Sequence, residues 1–201
     1  HDMCMEIVQE LVKTGDYPEE LRLNQVAKEA IQDSWGDEHL YGRFDLCVKP
    51  DGTIKMFEYN ADTPTSLLEA GVAQWQWLED LKLPDQFNSI HDKLIHRFGE
   101  LKVFGHPTLH LFASKDGHYE DWGNVEYLAD TASQAGWQIH IDEIENIGYD
   151  SNRNQFVNVN NEIIEYAFKL HAWEWLVEEE FGQHIAKADT LWLEPAWKML
   201  L

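Results

Sequence analysis

Within YGRFDLCVKPDGTIKMFEYNADTPTS, residues 41–66, four side chains have types suited to holding a cation and an anion side by side: Arg43, Asp45, Glu58 and Asn60. Two carboxylates and an amide are hard oxygen donors of the kind Mg²⁺ takes, an ion that keeps several waters and completes its shell with substrate phosphates. A guanidinium beside them offers a planar fork of donors for a phosphate or carboxylate. Together they describe a metal and phosphate surface.

These residues can meet only if the chain folds back between them. Arg43 to Lys49 and Thr53 to Asn60 read as two strands, and Asp51-Gly52 is the dipeptide favoured in a two-residue type I′ turn. That turn sets Pro50 against Thr53, Cys47 against Met56, Asp45 against Glu58 and Arg43 against Asn60, with the last six side chains on one face. Phe44, Leu46, Phe57 and Tyr59 fall on the other face and supply its burial. Opposed carboxylates cost a sheet roughly 0.2–1 kcal/mol, so a compensating cation is expected. Two readings remain open: a metal site, or a solvated face on which Arg43 neutralises both acids. A one-residue shift of the turn would move Asp45 out of register with Glu58.

Around the hairpin, Met3 to Val12 and Glu19 to Ser34 follow helical spacing. Thr65 to Leu81 and Phe87 to Leu101 do so too, separated by Pro84. TLHLFA from Thr108 is a strand, followed by the loop SKDGHYED, a helix from Trp122 to Ala135 closed by Gly136, and the strand WQIHI. Strand, helix, strand in that order is a βαβ unit with a parallel pair, so the expected class is α/β with helices packed on the sheet. Asn152 to Asn161 reads as an exposed hairpin or loop, Ile163 to Phe181 as helix, and Leu191 to Leu193 as a short strand ended by Glu194 and Pro195. No repeat or linker divides the sequence, and residues 1–201 are expected to form one region.

The chain carries 15 Lys and Arg against 37 Asp and Glu, a formal charge of −22, which disfavours nucleic acid and anionic lipid as partners and favours cations such as polyamines or metal ions. No apolar run reaches the roughly 20 residues that span a bilayer. Cys4 and Cys47 make no disulfide framework, which suits a reducing, cytoplasmic setting. Ten histidines show no metal-ligand spacing, and the nine tryptophans read as packing residues.

The motifs RFD, EYNADTPTS and EAG between Tyr41 and Gly71 resemble the glutathionylspermidine synthase family, whose synthetase half is an ATP-grasp carboxylate–amine ligase. Weaker similarity continues through YED at 119–121, KLHAWEW at 169–175 and LEPAWK at 193–198. The resemblance implies a pre-ATP-grasp-like layered domain. It implies that Arg43 contacts the nucleotide phosphate and the acid substrate, that Asp45 binds magnesium, and that Glu58 and Asn60 complete a two-magnesium site. Thr63 and Thr65 stand where spermidine-conjugating members carry substrate-holding serines. Glu120 and Asp121 match a substrate-contacting acidic pair; as an alternative, Asp121 caps a helix and Glu120 is solvated. Asp62 orients its loop or contacts substrate.

Carried over, this gives ATP-dependent ligation of a glutathione-like carboxylate to a polyamine-like amine through an acyl phosphate, with Mg²⁺ and ATP required and Arg43 steadying the γ-phosphate and acyl oxygen. The chain opens at His1 without Met and ends soon after LEPAWK, so it is expected to be a piece of a longer protein that lacks the amidase half and the nucleotide clamp and does not turn over ATP alone. Two rivals stand beside the ligase: a non-catalytic module binding a peptide or polyamine, and a metal-dependent hydrolase on the same carboxylates.

Overall fold

A computed structural model describes residues 1–86, 88–102, 105 and 107–201. Two helices, α1 (Asp2–Thr14) and α2 (Gln25–Asp33), precede a hairpin of β1 (Arg43–Val48) and β2 (Ile54–Asn60). Next come a helical segment at 67–81, containing a π-helical turn at Glu69–Ala73 and then α3 (Gln74–Leu81), and α4 (Ile90–Leu101). β3 (Thr108–Ala113), α5 (Tyr119–Gln134) and β4 (Gln138–Glu143) form the expected βαβ unit. A small hairpin of β5 (Gly148–Asp150) and β6 (Gln155–Val157) follows, then β7 (Tyr166–Leu170), the short helix α6 (Trp173–Leu176) and β8 (Leu191–Leu193).

The central sheet has the order β4-β3-β7-β8, and every neighbouring pair is parallel. Parallel strands are covered on both faces, and here the two faces bury separate clusters. Leu109, Leu111, Phe168 and Leu193 face α4 and α5 through Leu94, Phe98, Val125 and Leu128. Phe112, Ala167 and Trp192 face Ala27 and Ala30 of α2, Phe156 of β6 and Trp173 of α6. Val8, Ile31 and Trp197 tie α1, α2 and the chain end together in a third.

Several expectations are corrected. The stretch Ile163–Phe181 is not one helix: its centre is β7, buried on both faces, and a short apolar run with no polar alternation fits a covered parallel strand as well as a helix. Glu19–Ser34 is interrupted because Arg22 turns left-handed (φ 49) and Asn24 caps α2 by accepting from Ala27 N at 2.7 Å. Helix 65–81 starts at 67, after Ser66 at φ 71. Phe87, the expected start of the next helix, lies outside the described residues; α4 runs from Ile90. α5 begins at Tyr119, so Asp121 sits within its first turn and does not cap it.

His110 on β3 points into the second cluster, 3% exposed, with its ring 5.0 Å from that of its register partner His140. Burial, reinforced by His140, pushes its pKa down to about 4 against the pull of Glu162 and Asp142. The folded state therefore holds His110 neutral, while the unfolded chain takes up a proton once pH falls below about 6.5. Stability is whole above that pH and is lost as pH drops toward 4, by about 2 kcal/mol at pH 5. Urea unfolding at pH 7.5 and 5 measures this; in His110→Gln the difference between the two pH values shrinks.

Candidate functional site

The hairpin root has the expected pairing, reached by a different route. Arg43 pairs with Asn60 and Asp45 with Glu58, but a bulge between Asp45 and Leu46 shifts the outer ladder, so Leu46 faces Met56, Cys47 faces Lys55 and Val48 faces Ile54. The turn is longer by one residue than expected: Lys49 N donates to Thr53 O at 2.9 Å, and Gly52 N to Lys49 O at 2.9 Å. Gly52 alone takes positive φ (82), as a three-residue loop requires, and Asp51 does not, which excludes type I′. The extra turn residue and the extra bulge residue, Phe57, cancel. Pairing of Cys47 with Met56 is thus overturned, and so is burial by the second face: Tyr59 is buried, but Phe57 is 77% and Leu46 54% exposed.

The bulge has a cause in the sequence. Ile54 and Met56 are apolar in one alternation phase and Tyr59 in the other, and with Phe57 as the extra residue they face Val48, Leu46 and Phe44, which share one phase on β1. At the root, Phe44 and Tyr59 stack with centroids 4.0 Å apart. Gly42 is required by this stack, because a Cβ there would stand 2.5 Å from Tyr59 Cε2.

Arg43 is the hub. Its Nε donates to Asp45 Oδ1 at 2.8 Å, Nη2 to Asp45 Oδ2 at 3.3 Å, and Nη1 to Thr65 Oγ1 at 3.1 Å, while Nη2 lies 3.7 Å from Glu58 Oε1. The hydrogen bond to Asp45 raises the pKa of Arg43 further and holds the Asp45 carboxyl below its usual range. The field of Glu120 also acts on Arg43, which sets the first turn of α5 beside the hairpin. Asn124 fixes that approach: its Oδ1 accepts from Leu67 N at 2.9 Å and its Nδ2 donates to Glu120 O at 2.8 Å. Asp121 Oδ2 lies near Gly117, 3.3 Å from where a Cβ would stand.

The end of β2 and the loop after it border a second cavity. Asn60, Asp62 and Thr63 line a cavity of about 410 Å³ with Ala172, Glu174 and Lys198, whereas Arg43 and Thr65 line a cleft of about 360 Å³ with residues of α4. Asp62 is fully engaged: Lys169 Nζ donates to Oδ1 at 2.6 Å and Trp173 N to Oδ2 at 2.9 Å. Lys169 is wholly buried on β7 and also lies 4.5 Å from the Trp173 ring centroid.

A second buried ion pair grips the other end of the hairpin. Lys198 donates to Glu194, both side chains being fully buried. Glu194 Oε1 accepts from Tyr41 N at 2.9 Å and Lys198 Nζ donates to Tyr41 O at 2.6 Å, so the pair holds both backbone polar groups two residues before Arg43. Burial pushes Glu194 up and Lys198 down, and each pulls the other back. Lys169, Glu194 and Lys198 were not singled out from sequence, although lone charges inside YAFKLHAW and LWLEPAWKML were a signal of buried pairing.

Among the described residues, no cluster of three or more His, Cys, Asp or Glu side chains is set to hold a metal. The donors at the root do fit a hard cation that keeps other ligands, because two carboxylates already converge on one positive group, the Arg43 guanidinium.

Residues 1–201 match the family described as glutathionylspermidine synthase pre-ATP-grasp. The chain belongs to that family. A Haemophilus influenzae protein named "Putative acid–amine ligase" is 51% identical over the whole of this chain and 52% of its own length. The bifunctional glutathionylspermidine synthetase/amidase of Escherichia coli is 27% identical over 66% of this chain and 21% of its own, and the trypanothione synthetase of Crithidia fasciculata 34% over 41% and 13%. The chain thus spans about half the length of the first of these relatives and less of the others. The expected layered α/β domain is present, with a parallel sheet, an antiparallel hairpin and packed helices. No helix among the described residues is long and apolar enough to cross a membrane.

Proposed function

We propose that this chain is the acid- and metal-binding part of an ATP-dependent carboxylate–amine ligase, residues 1–201 forming one region of the longer enzyme. The observation that carries the reading is Arg43, whose guanidinium joins Asp45, Glu58 and the Thr65 hydroxyl at one point. The names of the relatives make a glutathione-like acid and a polyamine-like amine the starting substrate classes.

In such a ligase the acid oxygen attacks the γ-phosphorus of ATP and ADP leaves; the neutral amine then attacks the acyl carbon, phosphate leaves, and the nitrogen loses a proton to a base. Arg43 orients the acid oxygen and the phosphate through its donor fork. Asp45, Glu58 and Asn60 would hold Mg²⁺, which neutralises charge on the phosphates. Thr65 donates to the acid, Asp62 fixes the loop that bears it and Thr63, and Glu120 and Asp121 attract the ammonium form of the amine. The free thiols of Cys4 and Cys47 and the need for ATP suit the cytoplasm.

Glu58→Gln, in a chain carrying the rest of the enzyme, lowers amine-dependent ADP release about a hundredfold, or ~2.7 kcal/mol of barrier. Undiminished turnover in that variant removes the metal role. ADP release that needs no amine, or product acid freed from an amide, removes the ligase.

A further inference from the structure

The chain has a formal charge of −22, yet the cleft beside Arg43 is lined by three cations, Arg43, Lys93 and Arg97, and by no carboxylate. The cavity beside Ile144, by contrast, is lined by Glu145, Glu179 and Glu180. Carboxylates stand just outside the lining of the Arg43 cleft, Asp45 and Glu58 beside Arg43 and Glu38 and Glu100 beside Arg97, so the charge left over for an anion is that of Lys93.

Two of the three charges are already used. Arg43 is held by Asp45, and Arg97 makes an ion pair with Glu38 and donates through Nε to His39 O at 3.1 Å. Lys93, exposed on α4, makes no ion pair among the described residues. The walls between Arg43 and Lys93 are apolar: Leu40, Ile90 and Leu94. At about 360 Å³ the cleft lies at the small end of the range for ligand pockets, which suits a small organic acid.

We propose that this cleft seats the acid substrate as a short carboxylic acid with an apolar body, its reacting carboxylate at Arg43 and Thr65 and a second anionic group at Lys93. Naming the occupant as the acid substrate rests on the ligase reading; binding of such an anion does not. The assignment narrows the acid from glutathione-like peptides to apolar diacids, with Lys93 as the residue that selects for the second charge. The apolar walls hold the body of the acid, and the exposed Lys93 at the rim meets its second charge.

Four probes with the same six-carbon body test it on this chain by amide chemical-shift titration: adipate, hexanoate, 1,6-hexanediol and 1,6-diaminohexane. Adipate is expected to shift amides of Thr65, Leu67 and Lys93 and to bind about tenfold tighter than hexanoate, with the diol and diamine silent there. Lys93→Gln brings adipate down to the affinity of hexanoate and leaves hexanoate unchanged; Lys93→Arg restores the difference. Diamine binding equal to adipate, or adipate binding indifferent to Lys93→Gln, overturns the proposal, as does a cleft that no probe perturbs, the result expected if another protein surface covers it. If adipate fails while Glu58→Gln still abolishes turnover of the longer enzyme, this inference falls and the ligase stands; if Glu58→Gln is without effect while adipate binds through Lys93, the cleft stands as an anion site and the ligase falls.

Discussion

Lys198→Met lowers the unfolding free energy by about 3–5 kcal/mol, because it leaves Glu194 as an uncompensated charge with no route to water. Both side chains of the pair are fully buried, and Glu194 accepts from Tyr41 N while Lys198 donates to Tyr41 O. For a chain of this size such a loss moves the melting temperature by about 10 °C or more. The double variant Glu194→Gln/Lys198→Met separates charge from packing. Glutamine still accepts from Tyr41 N and no charge is stranded, so the double variant recovers about 2 kcal/mol of what the single loses, with Tyr41 O left unsatisfied. Urea unfolding of the parent and both variants is the measurement. A single variant within about 1 kcal/mol of the parent means that water reaches Glu194.

Lys169→Met carries the next largest effect, about 3 kcal/mol, at the low end for a broken buried pair. The reason lies in the partner: the Asp62 side chain is 21% exposed and can turn toward solvent, whereas Lys169 has no exposure. The loss is accompanied by a local change, since Asp62 also accepts from Trp173 N and so ties the loop after β2 to the start of α6. Backbone amide exchange at residues 61–66 accelerates in Lys169→Met beyond the global loss of stability, while amides of α5 follow the global loss alone. Uniform acceleration across both segments assigns Lys169 to general packing and not to holding this loop.

The βαβ unit was legible because TLHLFA and WQIHI are bounded by strong turn signals and by Gly136, which has positive φ (89) at the end of α5. β7 was not, because a strand covered on both faces loses the alternation that marks a half-buried one, and the apolar stretch around it suits a helix equally. The cross-strand meeting of Asp45 and Glu58 was expected from a two-residue turn; the chain makes a three-residue loop and recovers the same meeting through Phe57. The change of apolar phase between Met56 and Phe57 was visible in IKMFEYN and marks that correction. Grouping of Arg43 with Thr65 depends on Ser66 and on Asn124 reaching Leu67 N across 57 residues, contacts that no local pattern encodes.

The doubled position at Phe57 acts as a joint between two mechanically separate halves of one ribbon. Beyond it, strand positions 54–56 keep step with 46–48; before it, positions 58–60 keep step with 43–45. Trimming one residue from each outer strand would therefore leave the Arg43 end in place, and excising Phe57 alone would restore a plain ladder in which Met56 still faces Leu46 and Ile54 still faces Val48. The reach of the ribbon is free to vary in length without retuning its charged end.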